Sequence, residues 1–337
     1  MKIIGLEEHF VTGEVIDAWL RLDPHWRDLA LRPATQGEPA RLLADLGASR
    51  FEAMDETGID TQVLSLTTPG LQNLAPADAV ALQSAVNDEL AEAVRAHPDR
   101  YQGFAALATP QPDAAAEELV RAVTRLGLNG AMVFGRTRER HLDDPVFSPI
   151  LEAAQELRAP LYLHPQSPPP EVRAAYYRTA DELTTAALST FGIGWHYDTG
   201  VQLLRLIIGG VFDRYPELQV VVGHWGEVVL FYLERIAKIP GLARLDRPLL
   251  DYFRTNLYLT PSGMFSRRYL GWAADIVGTD RLLFATDYPF EFAPAGGARA
   301  FLEQADLTAT DREQFASGTW ERLCAGIRRA PLADRTG

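Results

Sequence analysis

The chain has 337 residues, and its 32 Lys or Arg residues against 45 Asp or Glu residues give a formal net charge of −13 at pH 7. This charge, with no basic run to offset it, argues against a nucleic-acid partner and against polybasic attachment to a membrane. No stretch of about 18 apolar residues predicts a membrane span. A single cysteine, Cys324, supplies neither an intrachain disulfide nor a cysteine metal cage, and no signal-like segment is present, so we expect a cytoplasmic protein.

Short apolar runs recur along the chain with amphipathic helical patterns between them. Eight runs have the β-branched and apolar composition of buried strands. They are Ile3–Glu7, Thr61–Leu66, Tyr101–Leu107, Gly130–Phe134, Pro160–His164, Gln219–His224, Leu257–Thr260 and Leu282–Asp287. The helical patterns are clearest in Asp78–Ala96, Ala114–Leu126, Pro145–Leu157 and Gly200–Tyr215.

This alternation of strands and helices predicts an α/β fold, a single (β/α)8 TIM barrel in one domain spanning residues 1–337. An open doubly wound sheet is the alternative. Its dinucleotide fingerprint, GxGxxG after the first strand, is absent, because Glu7-Glu8-His9-Phe10 stands at that place.

Two long insertions interrupt the alternation, one after strand one (Leu22–Arg50) and one after strand five (Gln166–Trp195). Both leave the face of the predicted barrel on which active sites are built. Loops of this length are either functional or disordered. Their aromatic content predicts that they pack over a pocket or against another subunit.

Polar residues gather at the carboxyl ends of the predicted strands, where barrel enzymes place their chemistry. Glu7 and His9 end strand one, His164 ends strand five, His224 ends strand six and Asp287 ends strand eight. Strand alternation directs Glu7 and His9 to the same side. Carboxylate and imidazole ligands suit manganese, zinc or iron, and the oxygen share also allows magnesium. The sequence therefore predicts a metal site.

The other histidines have simpler interpretations. His25, His97 and His141 fall in an insertion, at a helix end and in a polar loop. His196 closes the second insertion, and we expect it to contribute to loop packing rather than to catalysis.

Several motifs together resemble the amidohydrolase superfamily, and within it the metal-dependent non-oxidative decarboxylases of hydroxybenzoates. The resemblance covers nearly the whole chain. The motifs that carry it include Leu6-Glu7-Glu8-His9-Phe10, Leu161-Tyr162-Leu163-His164-Pro165, Gly223-His224-Trp225-Gly226-Glu227 and Thr286-Asp287-Tyr288-Pro289-Phe290-Glu291. The resemblance implies Glu7, His9, His164 and Asp287 as ligands of a divalent ion, manganese or zinc, with magnesium as a further option.

Lysine content bears on the number of metal ions. Two-metal members of this superfamily bridge their ions with a carboxylated lysine at the end of strand four. Here that strand, Gly130–Phe134, contains no lysine, and the two lysines of the whole chain are Lys2 and Lys238. A single ion is therefore expected. The same scarcity disfavours Schiff-base and pyridoxal chemistry, which need a lysine in the pocket.

The resemblance also implies a reaction and the residues that perform it. The substrate would be a small aromatic acid with a hydroxyl group next to its carboxylate. Asp287 would protonate the ring and carbon dioxide would leave, with His224 and Glu227 assisting. The substrate contacts implied by the resemblance or expected from ring packing are Arg235, Arg50, Phe290 and Phe10.

Two other functions stay open from the sequence. A mononuclear hydrolase of the same superfamily would open a lactone or amide, with Asp287 as base and His224 polarising the carbonyl. A binding barrel with a degenerate site is disfavoured because every expected ligand type is present. We also expect a homodimer or homotetramer.

Overall fold

The computed structural model describes residues 1–239 and 245–330. Within these residues the strands are β1 (Ile4–Phe10), β2 (Thr61–Leu66), β3 (Tyr101–Gly103), β4 (Ala105–Ala106), β5 (Ala131–Phe134), β6 (Arg136–Thr137), β7 (Arg140–His141), β8 (Leu161–His164), β9 (Val220–Val222) and β10 (Leu257–Leu259). Except for the small hairpin of β6 and β7, the strands pair in parallel. The fold is therefore α/β with parallel sheets.

Helices follow most of the parallel strands. In chain order they are α1 (Gly13–Arg21), α2 (Leu31–Thr35), α3 (Gly37–Leu43), α4 (Ala48–Thr57), α5 (Pro76–Ala96), α6 (Pro112–Thr124), α7 (Ser148–Leu157), α8 (Pro170–Val172), α9 (Glu182–Ser189), α10 (Gly194–Ile208), α11 (Val211–Arg214), α12 (His224–Glu227), α13 (Val229–Ile236), α14 (Leu249–Thr255), α15 (Arg267–Val277), α16 (Gly297–Glu303), α17 (Ala309–Glu313) and α18 (Thr319–Ala325). None of the helices in the described residues is long and apolar enough to cross a membrane.

The parallel pairings form two sheets, β1-β2-β3 and β10-β9-β8-β5-β4. Phe104 alone separates β3 from β4, so these two strands are one chain segment that borders both sheets. On the other side, Leu282 bridges to Leu259 in β10, and Ala285 bridges to Leu6 in β1. Each parallel strand therefore has a neighbour on both sides, and the carboxyl ends of all of them face the same way.

The buried side chains divide into two clusters. One lies between the strands and the helices. The other takes alternate residues from strand after strand and is closed by two residues of α18; it consists of Ile4, Leu6, Val63, Phe104, Met132, Phe134, Tyr162, Val221, Tyr258, Leu283, Ala285, Trp320 and Leu323. Because strand residues alternate between two faces, β1, β2, β5, β8, β9 and β10 each contribute to both clusters.

The structure corrects the predicted elements in three places. The predicted eighth strand makes two isolated bridges rather than a continuous ladder. The predicted helix Gly200–Tyr215 begins earlier, at Gly194, and is interrupted before α11 because Gly210 has a left-handed φ of 68°. Both insertions contain short helices, namely α2 and α3 in the first and α8 and α9 in the second.

Candidate metal centre and active site

Four predicted ligands meet at the carboxyl ends of the strands. The ligand atoms of Glu7, His9, His164 and Asp287 all lie within 4.8 Å of one another. His164 Nε2 is 3.1 Å from Glu7 Oε1, and His9 Nε2 is 3.3 Å from Asp287 Oδ1. Glu7 and His9 are fully buried, and the Asp287 side chain is 15% exposed. The cluster thus has one partly open side.

The backbone is strained at this cluster. Glu7 has φ 63°, and the pairing of β1 with β2 shifts register between Gly5 and Glu8, which is a β-bulge. Asp287 has φ 62°. Non-glycine residues seldom adopt this left-handed conformation, and such strain concentrates at functional sites. The bulge directs the Glu7 carboxylate into the cluster, beside the imidazole of His9.

Neighbouring side chains leave the ligand atoms free to bind a cation. The hydroxyl groups of Tyr162 and Ser262 donate to Glu7 Oε2. His164 Nδ1 is 2.9 Å from the carbonyl oxygen of Pro165, which can only accept, so this nitrogen carries the hydrogen and Nε2 keeps its lone pair.

Two atoms of the cluster lack a hydrogen-bond partner among the described residues. Glu7 Oε1 and His9 Nε2 are buried and make no hydrogen bond within residues 1–239 and 245–330. Buried polar atoms normally have a partner. Two carboxylates and two imidazoles around such orphaned atoms fit a divalent transition-metal ion. Lys2 and Lys238 are both exposed, and Lys2 forms an ion pair with Glu321. Neither lysine therefore offers a bridge for a second ion.

His224 and Glu227 lie on the left-handed turn α12, with φ values of 48° and 53°. His224 Nδ1 is 2.7 Å from Glu227 Oε1, and His224 Nε2 is 3.9 Å from Asp287 Oδ2. The backbone N–H of His224 donates to Ser262 Oγ over 3.0 Å, which ties this turn to the Glu7 carboxylate. Asp287 is therefore the member of the cluster that lies next to the His224–Glu227 pair.

The charges of these groups influence one another. Burial would raise the pKa of Glu227, but the charges of His224 and His196 and their hydrogen bonds lower it to about 2. Burial would lower the pKa of His224, but the charges of Glu227 and Glu7 raise it well above its usual value. Burial likewise opposes ionisation of Asp287, yet the neighbouring imidazoles of His224 and His9 lower its pKa. These shifts favour a protonated imidazole of His224 beside an ionised carboxylate of Glu227.

A cavity of about 1000 Å³ opens onto Asp287 and His224. Both insertions contribute to its wall, which is mainly apolar. Residues of the first insertion that line it are Leu29, Ala30, Arg32, Pro33, Gln36, Gly37 and Pro39; those of the second and of the start of α10 are Leu183, Ala186, Ala187, Thr190, Phe191, Gly192, Ile193, Trp195 and His196. Residues of both insertions therefore border the cavity. Its volume is at the upper end of the range for ligand pockets, roughly 300–1,000 Å³.

The predicted substrate contacts are only partly brought to this cavity. Phe290 lines it, with its ring 5.7 Å from that of His9. Phe10 does not: it follows His9 in β1, so alternation turns it into the core between strands and helices, where it is 1% exposed. The expectation that Phe10 forms a substrate wall is corrected accordingly.

The two predicted arginines also lie elsewhere. Arg50 is fully buried; its guanidinium donates to the carbonyl oxygen of His9 and to Gln62, and lies 4.8 Å from the centre of the Tyr288 ring. It therefore supports β1 from behind instead of facing the cavity. Arg235 is exposed on α13 and does not line the cavity of its own chain. Arg32, which the sequence did not single out, is the arginine in the cavity wall.

Three supporting residues escaped the sequence interpretation. Tyr162 and Ser262 hold Glu7, and His196 Nδ1 lies 2.8 Å from Glu227 Oε2. Tyr162 is two residues before His164, so alternation could have placed it on the same side of the strand. Nothing in the spacing of His196 indicates Glu227, which is far along the chain and lies on another element.

Comparisons with known proteins agree with this geometry. The family model for amidohydrolases matches residues 16–323. The chain is 35% identical over 337 residues to the gamma-resorcylate decarboxylase of Polaromonas sp. (strain JS666), covering 95% of this chain and 97% of that protein.

Solved structures are similar over the same extent. One is 5-carboxyvanillate decarboxylase from Sphingomonas paucimobilis, with a TM-score of 0.86, 31% identity, and coverage of 96% of this chain and 99% of that one. Another is a dihydroxybenzoic acid decarboxylase from Polaromonas sp. JS666 with bound manganese and the inhibitor 2-nitroresorcinol, with a TM-score of 0.83, 33% identity, and coverage of 96% and 97%.

Proposed function

The chain belongs to the amidohydrolase family, and from this premise we propose that it is a metal-dependent non-oxidative decarboxylase of an ortho-hydroxy aromatic carboxylic acid. The observation that carries the proposal is the position of Asp287. It belongs to the Glu7, His9 and His164 cluster and also lies 3.9 Å from His224 at the inner end of a largely apolar cavity. A flat aromatic acid at that end would meet the cluster and a proton source together.

The fold proposed for the whole chain is a (β/α)8 barrel in one domain, with insertions after strands one and five. Its support is the ring of parallel neighbours, including the bridges at Leu282 and Ala285, and the inner cluster that takes residues from strand after strand. The site lies at the carboxyl ends of the strands, which is where barrels of this kind carry their chemistry.

Glu7, His9, His164 and Asp287 would hold one divalent ion, and manganese is favoured by the bound ion of the similar Polaromonas structure. Such an ion supplies Lewis acidity toward the carboxylate and the adjacent hydroxyl of the substrate. Phe290 provides an apolar face for the ring next to the cluster. Arg32 adds a cation to the cavity wall for an anionic substrate.

The chemical step needs a proton on the ring. Direct loss of carbon dioxide would leave an aryl carbanion, whereas protonation of the carbon that carries the carboxylate makes the ring an electron acceptor. Asp287 transfers that proton. The bond between ring and carboxylate then breaks, its electron pair restores aromaticity, and carbon dioxide leaves, so the product has a hydrogen at the former carboxylate position.

His224 supplies the proton to Asp287. The Asp287 carboxylate has a lowered pKa and is ionised at neutral pH, so it must receive a proton before it can give one. His224, with its raised pKa and its Nε2 3.9 Å from Asp287, is suited to deliver it. Glu227 holds the hydrogen of His224 on Nδ1 and so directs Nε2 toward Asp287.

The proposal is tested by incubating the manganese-loaded protein with a panel of ortho-hydroxybenzoates and following carbon dioxide release, with lactones and amides in parallel. Unsubstituted benzoate, which lacks the hydroxyl group, is the matched control substrate. We expect carbon dioxide from at least one hydroxybenzoate and none after dialysis against a chelator. Turnover of a lactone or amide, with no carbon dioxide from any benzoate, would establish the hydrolase alternative instead.

A further inference from the structure

His196 lies at the candidate active site, where it contacts Glu227, a contact that the sequence did not predict. It lies in the first turn of α10 and lines the cavity. Its Nδ1 is 2.8 Å from Glu227 Oε2, while Glu227 Oε1 is 2.7 Å from His224 Nδ1. The two imidazole rings are 4.6 Å apart between centroids, at 60°. Glu227 therefore bridges two histidines.

The bridging carboxylate has little freedom as long as both histidines are present. Glu227 is fully buried, so each of its oxygens needs a donor, and each histidine supplies one. Without His196, Oε2 would lose this donor and the carboxylate could rotate about its terminal bond. His224 would then lose the fixed acceptor that holds its Nδ1 hydrogen and directs Nε2 toward Asp287.

The second nitrogen of His196 makes a separate connection. Nε2 lies 3.1 Å from the carbonyl oxygen of Phe191, in the second insertion. The Phe191 side chain is 68% exposed and lines the cavity. One imidazole thus joins the cavity wall to the Glu227 carboxylate, and the two contacts can be removed separately.

We propose that His196 is a positioning residue for proton delivery, acting through Glu227 on the orientation and tautomer of His224. This inference rests on the proposed decarboxylase function and adds a residue to it. Removing the hydrogen-bond partner of a metal ligand typically costs about 10- to 100-fold in activity, and by analogy we expect an effect at the lower end of this range for His196. The effect should fall on kcat, because His196 acts on the proton transfer, and not on KM.

Three substitutions separate the contacts. In His196→Asn the amide nitrogen takes the place of Nδ1 and keeps a donor toward Glu227. In His196→Gln the amide nitrogen takes the place of Nε2 and keeps a donor toward Phe191. His196→Phe keeps a flat ring and removes both. His141→Phe is the matched control, because His141 is also hydrogen-bonded through Nδ1, 2.7 Å from Gln202, but does not line the cavity.

We expect His196→Phe to lower kcat about 10-fold or more, with KM changed less than about threefold. His196→Asn should have a kcat close to that of the wild type. His196→Gln should have a kcat close to that of His196→Phe. In a Glu227→Gln background, His196→Phe should cost less than about twofold more. Unchanged kcat in His196→Phe, or rescue by Gln but not by Asn, would overturn the proposal. So would a second bound metal ion in the wild type that His196→Phe removes.

A spectroscopic measurement separates this proposal from the proposed function. Imidazole 1H–15N spectra of the chain loaded with zinc, which is diamagnetic, report the Nδ1 hydrogen of His224 without any substrate. We expect this signal to shift in His196→Phe and to return in His196→Asn. If no hydroxybenzoate is decarboxylated, the proposed function fails, but this shift still decides whether His196 orients His224; an unmoved signal would contradict it.

Discussion

Left-handed backbone conformations recur among the residues of the candidate site. Glu7, His224, Glu227, Ser262 and Asp287 all have positive φ. Each such non-glycine residue costs on the order of 1–3 kcal/mol and persists only when its surroundings enforce it. Here the hydroxyl of Ser262 contacts both Glu7 and the His224 backbone, so one small side chain joins two strained segments.

Asp287→Asn separates proton transfer from structure. The amide keeps the shape of the side chain and one oxygen, but it cannot pass a proton from His224 to the ring. We expect turnover to fall about 10²- to 10⁴-fold. Manganese content and the melting temperature serve as controls for the fold, and retained carbon dioxide release would exclude Asp287 as the acid.

The lowered pKa of Glu227 predicts that the free energy of unfolding decreases at acidic pH. Its pKa is lowered from 4.5 to about 2 in the folded chain, so the unfolded chain binds more protons between these values and stability is lost as the pH falls. The stability difference between wild type and Glu227→Gln should shrink by about 2 kcal/mol from pH 5 to pH 3.

Urea unfolding of the metal-free proteins at each pH measures this difference. Removal of the metal from both proteins separates the effect from ligand protonation. The matched control is Glu234→Gln, which changes an exposed carboxylate on α13. A difference between wild type and Glu227→Gln that does not change with pH would contradict the assignment.

A buried carboxylate in the first insertion is hydrogen-bonded to the second insertion. Asp28, in the first insertion, accepts hydrogen bonds from the backbone N–H of Ser167 over 2.9 Å and from its hydroxyl over 2.7 Å. Trp195 Nε1 donates to the same hydroxyl over 3.2 Å, at the end of the second insertion. These hydrogen bonds thus link two segments that both contribute residues to the cavity wall.

Asp28→Ala should loosen both insertions together. It leaves the buried N–H of Ser167 without its acceptor, which costs about 1–3 kcal/mol. We expect proteolytic cleavage within both 22–50 and 166–195 to accelerate, and KM to rise more than kcat falls. Asp23→Ala is the control, because exposed Asp23 contacts only its own insertion, at the N–H of His25. Cleavage in one insertion alone would contradict the joint behaviour.

Sequence reasoning was strongest where chemistry and strand periodicity coincide. The strand ends indicated a metal site among Glu7, His9, His164, His224 and Asp287, and the family resemblance implied all of these except His224 as ligands. The ligand atoms of those four residues converge. Phe10 was misplaced because the prediction ignored that it alternates with His9. His196 and Arg32 could not be found, since their positions depend on how the irregular insertions fold back onto the strands, which no periodicity encodes.

At the scale of the whole molecule, the four candidate ligands come from segments that are far apart in the sequence. Glu7 and Asp287 lie on segments joined by the bridge between Leu6 and Ala285, so a bound ion would connect the first strand to the segment 282–287. Binding to the folded chain alone stabilises it by mass action. The acidic cluster would also lose the repulsion between its two carboxylates.

Chelation should therefore lower the melting temperature. At an ion concentration 100 to 1,000 times the dissociation constant the stabilisation is about 3–4 kcal/mol, which corresponds to roughly 4–6 °C for a chain of this size. Scanning calorimetry with and without manganese measures the shift. Glu7→Gln should largely abolish it, and an equal shift in that variant would place the ion elsewhere.

The most direct test of the central claim follows the proton itself. The manganese-loaded chain is supplied in D2O with the ortho-hydroxybenzoate that it turns over, and the phenol product is examined by NMR and mass spectrometry. Ring protonation through Asp287 predicts one deuterium at the carbon that lost its carboxylate, one carbon dioxide per product, and neither in Asp287→Asn. A product formed without loss of carbon dioxide, or equal deuterium incorporation in Asp287→Asn, would contradict the account.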